Sequence, residues 1–168
     1  RTSLRTALAN VRQVIGDAEA HPAYLDITRQ TIQLNQESDT QVDVSRFTHL
    51  LEAALLPIEA DALNTVGIQH LEEAVALYRD GFLQGFSLAD SVLFEEWALL
   101  RREQLQRQAL GALHRLAAYY EVNGEPLRAL QHAWRAVDLD PWPGAGQRQV
   151  MRLLALSGRR EAALAQYK

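Results

Sequence analysis

Three residues of the stretch EVNGEPLRALQHA (121–133) recur in ALSGRREAALAQY (155–167): Gly124 as Gly158, Ala129 as Ala163 and Leu130 as Leu164, each 34 positions on. A fixed interval of this length marks helix–turn–helix units that stack side by side, each burying the face its neighbour leaves open. The shared residues suit that geometry. Both glycines stand where one helix must stop and the chain reverse, which favours a left-handed backbone. Ala129 and Ala163 are small where the second helix of a unit crosses the first. Tyr120 and Leu154 supply large packing groups four residues before each turn. Pro141 closes the first unit, because proline cannot continue a helix interior.

The rest of the chain changes period once. In SLRTALANVRQVI (3–15), Leu4, Leu8, Val11 and Ile15 form one apolar stripe on a helix, which Gly16 closes. Arg1, Arg5 and Arg12 fall within roughly 40° of one another beside it. In YLDITRQTIQLN (24–35), Leu25/Ile27 and Ile32/Leu34 alternate as two half-buried strands around a turn at Thr28–Thr31, with Arg29 near its tip. QESDTQ (36–41) is a polar linker, and everything beyond reads as helix. Asp43 is the expected N-cap of a helix presenting Phe47, Leu50, Leu51, Ala54 and Leu55 and ending at Pro57. A second helix spans VGIQHLEEAVALY, and Gly81 and Gly85 then bracket Phe82 and Phe86, both read as buried. A long helix through Phe94, Trp97, Leu105, Ala109, Leu113, Leu116 and Tyr120 follows from about Asp90 to Asn123, with Gly111 as its weak point and Glu103–Arg107 as an exposed ion pair.

Several chemistries find no support. The 168 residues contain no cysteine, so thiol nucleophiles and thiolate metal sites are excluded. Histidines 21, 49, 70, 114 and 132 show no paired metal spacing. His70, Glu72 and Glu73 point in different directions on a helix and read as a solvated face. PWPGAGQRQ lacks the Gly-Lys-Ser/Thr ending of a phosphate loop, and there is no Gly-x-Ser-x-Gly elbow. Glu95 and Glu96 sit at a helix start, where the helix dipole favours acids. No enzyme and no cofactor are expected. A net charge of −4 argues against the whole chain wrapping nucleic acid. No apolar run approaches the roughly 20 residues of a membrane span, and the default location is cytoplasmic. The chain opens on Arg1 and closes inside a helical pattern, as a piece of something longer does.

Leu113, Leu116, Ala117, Tyr120, Gly124, Ala129, Ala133, Ala136 and Pro141, then Val150, Leu154, Gly158, Ala163 and Tyr167, resemble the tetratricopeptide repeat pattern, with leucine and then glutamine where tryptophan usually opens the unit. The units lie near 110–143 and 144–168. That resemblance implies a concave protein-binding face carrying His114, Glu121, Arg148 and Arg152; solvated surface is the plainer reading of all four.

RTSLRTALANVRQVIG looks like the recognition helix of a response-regulator-type winged helix, and YLDITRQTIQLN like its wing. YRDGFLQGFSLADSVLFEEWALLRREQL (78–105), with Tyr78, Phe82, Leu83, Glu95, Glu96 and Trp97, resembles the bacterial transcriptional activator domain of antibiotic regulatory proteins. The fold implied is mainly α: a tetratricopeptide-like helical domain over 43–168, a linker at 36–42, and at 1–35 the remnant of a winged helix, one helix plus a β-hairpin. The function implied is transcriptional activation. Arg1, Thr2, Arg5, Thr6, Arg12 and Arg29 would contact promoter DNA in an intact parent whose DNA-binding domain begins roughly eighty residues upstream. The helical domain would self-associate and meet RNA polymerase or another protein. Two alternatives stay open: a peptide-binding repeat scaffold without DNA binding, and a docking module for a downstream catalytic or ATPase domain.

Overall fold

The computed structural model describes residues 3–55, 65–142 and 144–165. The chain is mainly helical, with one small antiparallel sheet. It forms two compact units, Arg1–Val42 and Asp43–Lys168.

The first unit holds α1 (Leu4–Val14), β1 (Leu25–Ile27) and β2 (Ile32–Leu34). Ser3 caps α1, its hydroxyl accepting from the Thr6 N–H, and the chain leaves the helix through Gly16 at φ 69°. Leu25 pairs with Leu34 and Ile27 with Ile32. The turn is held by the Thr28 hydroxyl, which accepts from the N–H groups of Gln30 and Thr31. The apolar side chains here are less covered than their spacing implies. Leu4 and Val11 on α1, Ile15 at its C-cap, and Ile27, Ile32 and Leu34 on the strands are all exposed. One short helix and two three-residue strands offer too little surface to bury each other's faces.

The second unit contains α2 (Asp43–Leu55), α3 (Thr65–Leu77), α4 (Val92–Val122), α5 (Pro126–Leu139), α6 (Ala145–Leu156) and α7 (Arg160–Ala165). Each packs on the next in chain order, most extensively α4 on α5. Asp43 is the first residue of α2, and its carboxylate accepts from the Val44 N–H. Phe47, Leu50 and Leu51 are buried, whereas Leu55 is exposed; Pro57 lies outside the described residues. α4 runs unbroken through Gly111 for about 46 Å. Gly124 and Gly158 take φ 73° and 79° at the two reversals, a conformation that costs glycine nothing. One core joins α2 to α7, built from Leu105, Leu113, Leu116, Tyr120, Val150 and Leu153 and from the alanines at 109, 112, 117, 129, 133 and 136.

Two expectations are corrected. Phe86 is exposed rather than buried, because the turn at 79–91 covers only one side of the start of α4, where Trp97 is also half-exposed. There Phe82 meets Trp97 edge-on and Phe86 meets Phe94. Arg107 donates to the Glu103 carbonyl, not to its carboxylate.

Long polar side chains from α4 and α5 satisfy the carbonyls where neighbouring elements end. Arg102 donates to the carbonyls of Phe82, Leu83 and Phe86. Leu83 has φ 51°, a backbone unusual outside glycine, so its carbonyl is fixed where the turn is under strain. Gln106 reaches the Leu139 carbonyl at the end of α5. Arg135 donates to the carbonyls of Val75 and Tyr78, both at 2.6 Å, where α3 stops. Arg135→Ala leaves both acceptors unmet and is expected to lower unfolding free energy by about 3 kcal/mol, read from urea denaturation followed by circular dichroism.

Candidate functional site

In the first unit, the arginine flank of α1 is not uniform. Arg5 is exposed and, among the described residues, has no partner; the same holds for Arg29 at the hairpin tip. Thr6 is engaged by Ser3, hydroxyl to hydroxyl at 3.2 Å. Arg12 is committed to its own unit, its Nε donating to Asp17 Oδ2 at 2.7 Å. Arg1 and Thr2 lie outside the described residues.

Asp17 is the buried polar anchor of this unit, 1% exposed, and its other oxygen accepts from the Leu25 N–H at 2.9 Å. It ties the end of α1 to the start of β1. The hydrogen bond from Arg12 is the main reason its carboxyl titrates below the ordinary value of 3.8. Sequence spacing alone marks neither partner for this role, since Arg12 to Asp17 crosses the helix end.

In the second unit, the four residues expected on a concave face fall along α4 and α6. Glu121 and Arg152 are brought together, carboxylate to guanidinium at 2.6 Å. His114 Nδ1 lies 2.9 Å from Gln149 Oε1. Arg148 is exposed, with no side-chain partner among the described residues. Three of the four therefore hold α4 to α6, and Arg148 alone offers a free charge.

A polar cluster missed by spacing arguments lies between α3, α4 and α5. Glu72 Oε1 accepts both from the Tyr120 hydroxyl at 2.6 Å and from Arg128 Nη2 at 3.0 Å. The Arg128 guanidinium covers the Tyr120 ring, and His132 stacks on it. Burial first, and then the bond to Glu72, push Tyr120 up to about 12. Burial holds His132 below its usual value. Every member is occupied by another, so the cluster joins helices rather than offering a reactive group. An open cleft of about 590 Å³ lies nearby in the chain, lined by Phe47, Tyr78, Phe82 and Leu105 with Asp43 and Arg79 among its polar groups. Among the described residues, no three histidine or acidic side chains converge as a metal site would require. None of their helices is long and apolar enough to cross a membrane.

The family model of the bacterial transcriptional activator domain matches residues 42–168. The chain belongs to that family. Neither a curated protein nor a solved structure matches it. The activator domain thus coincides with the helical unit, and its family is one of transcription regulators rather than enzymes. Within the activator domain, sequence reasoning passed over Arg102, Gln106 and Arg135, and its reading of Glu72 as part of a solvated face is corrected, since Glu72 accepts from Tyr120 and Arg128; a polar side chain on an otherwise apolar helical seam is the signal that could have found them.

Two titrations check these anchors. Tyr120 has a folded value above its ordinary 10.0, so its contribution is complete below pH 10 and is lost as pH rises towards about 12. Tyr120→Phe should remove that alkaline slope from the stability profile while costing about 1.5 kcal/mol at neutral pH. Asp17 has the opposite sign: depressed in the fold, it stabilises above 3.8 and is lost as pH falls through its lower folded value. The Leu25 amide shift, followed by NMR, should titrate with a midpoint below 3.8 and should lose that titration in Asp17→Asn.

Proposed function

We propose that this chain is part of a cytoplasmic transcriptional activator in which residues 1–35 are the closing part of a winged-helix DNA reader. In this reading α1 is the recognition helix and the β1–β2 hairpin the wing. The helical unit stacks as degenerate tetratricopeptide-like pairs, orients the reader, self-associates and meets RNA polymerase or another protein. The observation that carries the reading is the match to the activator domain over residues 42–168, directly behind a helix and hairpin.

The chemistry of the first unit supports the roles. An α-helix fits the major groove, and unpaired guanidinium groups can meet either base edges or phosphates. Arg5 is free to do so from α1, and Arg29 from the hairpin tip. Arg12 keeps its Nη groups for a phosphate while Asp17 holds its Nε, which fixes its direction. Arg1, Thr2 and Thr6 complete the proposed contact set. In the helical unit, Arg148 and the paired Glu121–Arg152 and His114 mark the face offered to a protein partner.

Fluorescence anisotropy over a salt series tests this, using the 168-residue chain and a form extended by about eighty residues upstream. The extended form should select a duplex from a random pool and lose affinity steeply with salt. In it, Arg29→Ala should weaken all duplexes alike and lower the salt slope by about 1, whereas Arg5→Ala should also relax sequence preference. Absence of binding by both forms removes the DNA-reading half of the proposal and leaves a protein-binding helical domain.

A further inference from the structure

α4 has two apolar faces, and its own unit covers one of them. Ala98 and Leu105 point into the unit and are buried. Leu93, Trp97 and Leu100 lie about 120° further round the helix and are 80%, 51% and 67% exposed. With Gln104 they repeat at spacings of four, three and four, the spacing of a seam between two helices. A helix apolar on both sides is ordinarily covered on both.

The surface beside that stripe has a specific form. A shallow hollow of about 380 Å³ is outlined by Trp97, Leu100, Arg101 and Gln104. These are positions i, i+3, i+4 and i+7, the four residues between which a facing helix inserts one side chain. Leu93, the most exposed large side chain of the stripe, is the corresponding projection on the same face.

We propose that this face is an interface between two copies of the chain, α4 lying antiparallel to α4, with Leu93 of each filling the hollow of the other. Setting Leu93 opposite the hollow puts the twofold axis near residues 96–97, so both projections and both hollows are used at once. Such a contact is self-complementary and closes as a dimer. The same register sets Arg101 opposite residues 92–93 of the other copy, about 4 Å along the axis from its Asp90, an offset that the long arginine side chain can span. Arg101 otherwise bonds the neutral Gln104, and Asp90 has no ion-pair partner among the described residues. On the opposite flank the two Glu96 side chains approach each other near the axis, and their repulsion keeps the contact weak. Three large side chains per copy cover well below the roughly 800 Å² per partner of a standard interface. The dimer therefore forms at high local concentration, as when two copies sit side by side on one duplex. This deepens the self-association named in the proposed function, and its test needs no DNA, so either can fail without the other.

Sedimentation equilibrium of the full chain measures it. The expected dissociation constant is on the order of 100 μM, the weak end of specific association. Leu93→Glu should weaken it at least tenfold with an unchanged thermal melt, because that side chain is exposed. Glu96→Gln should tighten it several-fold. Arg101→Asp should weaken it, and adding Asp90→Arg should restore it. A wild-type chain that stays monomeric at about 1 mM overturns the proposal; so does a dimer that Leu93→Glu leaves intact, or one that the paired charge reversal fails to rescue.

Discussion

The helical unit rests on a seam of small side chains. Ala109, Ala112 and Ala117 on α4, and Ala129, Ala133 and Ala136 on α5, are all essentially inaccessible to solvent. Alanine lets two helix backbones come close, and closeness decides what the longer side chains at the edge of the seam can reach. From α5, Arg135 spans to the end of α3; from α4, Gln106 spans to the end of α5. Larger residues at the seam would push the helices apart and strand those carbonyls without donors.

This arrangement makes charge a structural material in the unit. A guanidinium that donates to two or three carbonyls does the work usually left to water at a helix end. Glu72 similarly joins α3 to α4 and α5 through a single oxygen. The arginine richness of the chain, 16 of its 17 basic residues, thus divides between tying helices together and facing solvent. Arg102, Arg128 and Arg135 belong to the first group, Arg5, Arg29 and Arg148 to the second.

Much of the fold is legible in the sequence because it depends on local spacing. The hairpin at 25–34, the long fourth helix and the glycine reversals at 124 and 158 all follow from period and backbone preference. Exposure was less legible. The apolar spacing of α1 and of the start of α4 signals helix correctly, but spacing cannot say whether a neighbour exists to cover the stripe. Long-range polar roles were not legible at all: Arg135 and Val75 are 60 residues apart, and Glu72 and Tyr120 are 48 apart. His114, Glu121, Arg148 and Arg152 could be named from the sequence as positions, while the pairing of Glu121 with Arg152 needed the packing of α6 on the stack.

The placement of the tryptophans has an optical consequence. None of the three is in the buried core: Trp142 is 81% exposed, Trp97 is half-exposed, and Trp134 only borders the core. The aromatic rings nearest the centre are Phe47 and Tyr120. Emission from this protein therefore reports chiefly what arrives at its surface, above all beside Trp97, while melting of the interior is read better from the near-ultraviolet signal of its tyrosines.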